Sequence, residues 1–188
     1  MNQSIQDLSL YKTPKGFRGK SKYVVQLWWI TYALFFKPSP QILYGWRRFL
    51  LRSFGAKIGK GVIIRPSAQI TYPWKVSIGD HSWIGDEVVL YSLGEIEIGS
   101  NTVISQRSYI CTGSHDYKSE SFDIYSQKIT IGKKCWLATD VYVAPSVTIG
   151  DFTVVGARSS VFSDLPHNKV CIGSPAKPIK DRILISEY

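Results

Sequence analysis

From Ile58 onward an aliphatic residue returns every sixth position: Ile58, Ile64 and Ile70, then Ile78, Ile84 and Leu90, then Ile98, Ile104 and Ile110, and finally Ile131, Leu137, Val143, Ile149, Val155 and Val161. A helical stripe requires spacings of three and four, and a half-buried strand requires strict alternation. A step of six fits neither. It fits short strands joined by tight corners, three steps to a turn, which makes a parallel β-solenoid. A glycine often follows the aliphatic residue, as in Ile58-Gly59, Ile78-Gly79, Ile98-Gly99 and Ile149-Gly150. Glycine permits backbone conformations and close approaches that a Cβ forbids. Three positions beyond it stands a small or β-branched residue, such as Val62, Ser82, Thr102, Cys135 or Thr153, sized for a narrow interior.

The breaks in this register carry information. It slips by two residues at Val76-Ser77 and by two more at Ile96-Glu97, which predicts a short bulge at each place. A longer break separates Ile110 from Ile131, and residues 114–128 within it are polar and aromatic. Insertions in repeat proteins become loops on one face, often the binding face. This excursion is therefore the candidate active-site loop.

The chain divides into an extension over residues 1–54, the solenoid over 55–166 and a tail over 167–188. Its net charge of +9 is unevenly placed: residues 1–65 hold twelve Lys or Arg against the single acid Asp7. Tyr23 to Phe36 is almost wholly apolar and aromatic, but its fourteen residues fall short of the twenty or so that span a bilayer. No small-residue cleavage site follows, so a secretory leader is not expected. Gln41 to Phe54 reads as a helix carrying Arg47, Arg48 and Arg52, with Gly55 as its stop. Two uses for this basic, aromatic extension stand open and are compatible. It can cap the first coil, as solenoids require, or it can rest on an anionic membrane surface. No nucleic-acid-binding motif accompanies the charge. Three cysteines form no disulfide framework or metal motif, which fits a reducing, cytoplasmic setting.

Of the three histidines, His81 falls at a regular corner and His167 at the end of the repeats. His115 stands in Thr112-Gly113-Ser114-His115-Asp116-Tyr117, where the repeat stops and the excursion begins. A histidine there can face a groove, and imidazole suits general-base work near neutral pH. Asp116 is a candidate to orient it.

Taken together, the Ile-Gly hexads, the histidine segment, the return Ile129-Thr130-Ile131-Gly132-Lys133-Lys134-Cys135-Trp136, and the closing Gly173-Ser174-Pro175-Ala176-Lys177 resemble the hexapeptide-repeat acyltransferases. Within them the chain is most similar to the sugar O-acetyltransferases of colanic acid and exopolysaccharide biosynthesis, through Leu90-Tyr91-Ser92-Leu93, Ile104-Ser105-Gln106 and Val155-Gly156-Ala157-Arg158-Ser159. The likeness spans residues 55–182 or so. It implies a left-handed parallel β-helix, assembled as a homotrimer, with acetyl-CoA in the groove between neighbours and a sugar as acceptor. It matches His115 to the catalytic histidine, Trp136 to the wall of the cofactor channel, and Thr139 and Ala157 to positions along the pantetheine arm. Lys177, Lys180 and Arg182 match basic residues near the cofactor's phosphates, against the plainer reading of a solvated basic tail. Asp86, Glu87, Tyr91 and Ser92 are candidates to bind the acceptor, against the plainer reading of corner residues. No metal is expected. Phe162-Ser163 stands where relatives often carry Thr-Lys, and Ala138 replaces a usual glycine; both leave affinity for the cofactor open. A serine or antibiotic acetyltransferase of this fold and a non-catalytic scaffold at the membrane surface are the rival readings.

Overall fold

The computed structural model describes residues 5–183. Between Lys57 and Val161 the chain winds five coils of three short strands each. The first sheet stacks Lys57–Ile58, Val76–Ile78, Ile96–Ile98, Ile129–Ile131 and Thr148–Ile149. The second stacks Ile63–Ile64, Trp83–Ile84, Val103–Ile104, Trp136–Leu137 and Val154–Val155, and the third stacks Gln69–Ile70, Val89–Tyr91, Tyr109–Cys111, Tyr142–Val143 and Ser160–Val161. Pairing within each stack is parallel and in phase, so Ile78 lies against Ile98 and Ile84 against Ile104. All fifteen hexad residues are buried, forming three aliphatic columns. Each contributes on the order of 1.5–3 kcal/mol by leaving water.

The corners divide their labour differently from what the glycines suggest. The left-handed backbone falls two residues after the glycine on His81, Glu87, Asn101, Lys134, Phe152 and Arg158, and at the equivalent place after Ser105 and Ala138 on Arg107 and Asp140, with φ between 56° and 64°. The glycines instead serve stacking. A Cβ on Gly99 would stand 2.4 Å from the backbone nitrogen of Lys133, and one on Gly79 would stand 2.5 Å from that of Ser100. Inside the first corner Ser82, Thr102, Cys135 and Thr153 form a vertical ladder. Ser82 donates to the carbonyl of Gly99 at 2.7 Å, Thr102 to Gly132 at 2.7 Å, Cys135 to Gly150 at 3.2 Å and Thr153 to Pro166 at 2.6 Å.

The extension is only partly helical. Residues 5–21 run as irregular chain with tight turns at Leu8–Leu10 and between Pro14 and Gly19. Helix α1 follows over Lys22–Thr31 and passes into a π-turn at Tyr32–Phe36, and helix α2 covers Tyr44–Ser53. Their role at the open end of the solenoid is specific. In coil 2 the carbonyls of Ile78, Ser82, Ile84, Val88 and Leu90 accept from the backbone N–H groups of coil 1. The five equivalent carbonyls of coil 1 have no earlier coil to serve them. Side chains of the extension donate to all five: Arg52 to Ile58 at 3.0 and 2.6 Å, Arg48 to Val62 at 2.8 Å, Arg47 to Ile64 at 2.7 Å, Tyr32 to Ala68 at 3.3 Å and Trp28 to Ile70 at 2.9 Å. Three of the twelve basic residues counted in the sequence are thus hydrogen-bond caps.

The two short breaks fall slightly earlier than the register suggested. Val76 and Ile96 are buried strand residues, and the extra residues lie before them, in a tight turn at Pro73–Lys75 and a bend at Ser92–Glu95. Both leave from the corner between the third and first sheets, and so does the long excursion after Cys111. Antiparallel strands Lys169–Gly173 and Ala176–Asp181 extend the second sheet and, with Leu165, cover coil 5.

Candidate active site

The long excursion is a hairpin. Gly113–His115 pairs antiparallel with Ile124–Ser126, which sets His115 opposite Ile124 at the outer end of the ladder. The loop between them is held by its own polar groups: Asp116 Oδ1 accepts the backbone N–H of Lys118 at 2.9 Å, and the Asp123 carboxylate accepts from the hydroxyls of Ser119 and Ser121. Phe122 takes a left-handed φ of 52°. Its ring stacks on the imidazole of His115 at 4.3 Å and 9°, and its carbonyl oxygen lies 2.8 Å from Nδ1.

That contact assigns the tautomer. A carbonyl oxygen only accepts, so Nδ1 carries a proton and donates it, and in the neutral ring Nε2 is the nitrogen that holds the lone pair. His115 is thereby held in the form a general base needs. Asp116, the orienting residue suggested by the sequence, does not do this; its carboxylate turns into the loop to close the Lys118 turn. The orienting group is the Phe122 carbonyl. Sequence reading missed it because a backbone carbonyl has no residue signature.

A second missed contributor comes from the far end of the chain. The N–H of Asp7 donates to the carbonyl of Glu120 at 2.8 Å, and the ring of Tyr11 lies 6.3 Å from the imidazole. Further along the same arm, the Trp74 indole donates to the carbonyl of Arg18 at 2.8 Å, while Lys75 Nζ donates to the carbonyls of Phe17 and Leu93. The arm therefore crosses all three insertions.

The proposed acceptor residues divide between two corners. Asp86 and Glu87 lie between the second and third sheets, where Asp86 pairs with Arg65 at 2.8 Å and accepts from Ser67 at 2.8 Å. Tyr91 and Ser92 lie across the third sheet, beneath the histidine hairpin, with the Tyr91 carbonyl accepting from Thr112. Ser92 is fully buried, and its hydroxyl is occupied by the backbone N–H and carbonyl of Tyr72 at 2.8 and 3.1 Å. It fixes the second insertion and presents nothing to an acceptor.

The proposed cofactor residues share the second sheet and the corner between it and the third, here called the second corner. Trp136 is half exposed, its indole donating to Ser105 Oγ at 3.0 Å. Thr139 and Ala157 stand one coil apart, the coils joined there by the N–H of Arg158 donating to the carbonyl of Thr139 at 2.9 Å. Lys177 and Lys180 are exposed on the terminal strand. Arg182 differs, since its Nη1 donates to the carbonyls of Lys134 and Phe152 at 2.7 and 3.1 Å, around the first corner. This bonding makes it a cap for those turns. Among the described residues no group of three or more His, Cys, Asp or Glu is placed to hold a metal ion.

Within the chain the third sheet separates His115 from Trp136, Thr139 and Ala157. The outward residues of the sheets bear on this. Those of the first are polar: Lys57, Ser77, Glu97, Thr130 and Thr148. Those of the second are Ile63, Trp83, Val103, Trp136 and Val154, and on the third the rings of Tyr91, Tyr109, Tyr142 and Phe162 follow one another at 5.7–6.3 Å. The two apolar faces flank the corner that carries the proposed cofactor residues.

No family model matches the chain. Similarity to individual proteins is extensive. The chain is 64% identical over 179 residues, covering 95% of it and 98% of the relative, to an Escherichia coli (strain K12) protein named "Putative colanic acid biosynthesis acetyltransferase WcaF". The chain belongs to the hexapeptide-repeat acyltransferases. It is also 29% identical over 138 residues to the galactoside O-acetyltransferase of the same organism, covering 72% of this chain and 68% of that one. Among solved structures, a maltose O-acetyltransferase from Clostridium difficile 630 superposes with a TM-score of 0.78 at 25% identity, over 91% of this chain and 90% of the other. A galactoside acetyltransferase in complex with coenzyme A gives a TM-score of 0.80 at 24% identity over 90% and 84%, a likeness of fold. The left-handed winding expected from the resemblance goes with membership of this family.

Proposed function

We propose that the protein transfers acetyl from acetyl-CoA to a sugar hydroxyl during exopolysaccharide, capsule or lipopolysaccharide biosynthesis. The observation that carries the reading is His115, held by the Phe122 carbonyl with Nε2 free to take a proton, on the excursion that interrupts a hexapeptide-repeat wall. His115 Nε2 removes the acceptor hydroxyl proton as that oxygen attacks the thioester carbonyl. The resulting imidazolium stays bonded through Nδ1 to Phe122. As the tetrahedral intermediate collapses and the carbon–sulfur bond breaks, Nε2 returns the proton to the departing thiolate, and backbone N–H groups stabilise the oxyanion. The names of the relatives, a colanic acid acetyltransferase and a galactoside O-acetyltransferase, support a sugar acceptor over serine or an antibiotic.

The working unit on this reading is a homotrimer. Trp136, Thr139, Ala157, Lys177 and Lys180 of one subunit hold acetyl-CoA against the His115 hairpin of the next, with Tyr91, Asp86 and Glu87 near the acceptor. Support comes from the separation of these groups within one chain and from the apolar faces beside the second corner. The enzyme works in the cytoplasm, peripheral to the inner membrane face through residues 1–54. Among the described residues no helix is long and apolar enough to cross a membrane.

The test is transfer from labelled acetyl-CoA to a panel of sugars and glycan precursors. His115→Ala should lower turnover by about 10²–10⁴ with the oligomer's mass unchanged. Full activity in that variant would sink the mechanism. Preferential acetylation of serine or an aminoglycoside would replace the acceptor class.

A further inference from the structure

Helix α1 and the π-turn after it have two apolar sides. On one side Val25, Trp28 and Phe36 are buried against the solenoid and Tyr32 packs beside them. On the opposite side Tyr23, Leu27, Ile30 and Leu34 recur at spacings of four, three and four, and each is more than half exposed. A helix that only caps a core needs a single apolar stripe. The exposed apolar surface continues beyond it, because Phe35, Ile42 and Phe49 are also more than half exposed. The Trp46 indole joins the two helices, donating to the Phe35 carbonyl at 2.9 Å and stacking on Phe49 at 5.7 Å.

Charge decides what covers this surface. From Leu8 to Gly79 the chain contains thirteen Lys or Arg and no acid. Arg47, Arg48 and Arg52 are used as caps, but Lys20, Lys22 and Lys37 stand exposed at the two ends of the α1 stripe. A two-fold pair meeting through this surface would set cation against cation, and the ring contact of the proposed trimer is assigned to the second and third sheets. An anionic lipid surface supplies both an apolar phase and the opposite charge.

We infer that the outer face of α1, with Phe35, Ile42 and Phe49 beside it, docks the protein on an anionic bilayer, α1 lying in the interface plane with lysines at either end. This deepens the peripheral placement in the proposed function. It is separable from the chemistry, since vesicle binding and acetyl transfer are measured independently.

The experiment is co-sedimentation of the full chain with vesicles of phosphatidylglycerol and phosphatidylethanolamine, and with vesicles of phosphatidylcholine alone. The wild type should bind the first and not the second, and should be released by salt. Leu27→Glu combined with Ile30→Glu should weaken binding about tenfold or more, with thermal unfolding and acetyl transfer unchanged. Lys20→Glu with Lys22→Glu should weaken it in low salt and matter less in high salt. Equal binding by variants and wild type would overturn the inference, as would wild-type binding to neither vesicle. A Leu27→Glu and Ile30→Glu protein of altered oligomeric mass would assign the face to a contact between copies and overturn it too.

Discussion

At the residue scale, the imidazole of His115 depends on a partner with no side-chain chemistry. Phe122 contributes a stacked ring and a carbonyl, both placed by a left-handed backbone. Phe122→Ala keeps the carbonyl and loses the stack. Turnover should fall about tenfold, with little change in KM for acetyl-CoA, as steady-state kinetics would show. A second residue-level expectation concerns Cys135, whose thiol is pushed up to about 11 by burial. An unfolded thiol ionises near pH 9, so between about pH 9 and pH 11 the unfolded state releases a proton that the folded state keeps. Stability is untouched below that window and falls across it, by about 2–3 kcal/mol in all. Cys135→Thr keeps the ladder donor, as at Thr102 and Thr153, and should remove that component when urea midpoints are compared at pH 8 and pH 10.5. His115 was legible in the sequence because it stands where a period fails. Phe122 and Tyr11 were not, since one acts through its backbone and the other through a contact across more than a hundred residues.

At the scale of elements, α2 replaces a missing coil. Its buried Arg47 donates to the carbonyls of Ile64, Pro40 and Gln41 and to the Ser39 hydroxyl. Arg47→Ala should cost on the order of 3 kcal/mol in denaturant titrations, because several buried acceptors lose their donor at once. Arg47→Lys should recover little, since an ammonium cannot fan out to four acceptors as the guanidinium does. Capping and membrane contact both stood open in the sequence because a count of arginines does not say where they point. In the structure Arg47, Arg48 and Arg52 of α2 face inward to the coil, and the exposed Lys20, Lys22 and Lys37 flank the outward stripe of α1. For the same reason, removal of residues 1–54 should not leave a folded solenoid; five carbonyls and the top of the columns would open to water.

At the scale of the molecule, the hexads made the wall legible almost residue by residue, since a six-residue step that resumes after each of three breaks admits few architectures. The corners were less so, because the residues that carry the left-handed turns range from Asn101 to Phe152. The composite nature of the proposed site gives a prediction that single chains cannot mimic. His115→Ala and Trp136→Ala chains, each inactive alone, should regain about one quarter of wild-type turnover when co-expressed and randomly mixed, because a quarter of the interfaces then join two intact halves. No recovery would place the whole site in one subunit. All three insertions leave the wall and re-enter it at one corner, and after each the next coil resumes in phase. The molecule is therefore modular along a seam: residues exchanged within Tyr72–Lys75 or Ser92–Glu95 should alter the surroundings of the His115 hairpin while the wall that carries Trp136, Thr139 and Ala157 is inherited unchanged.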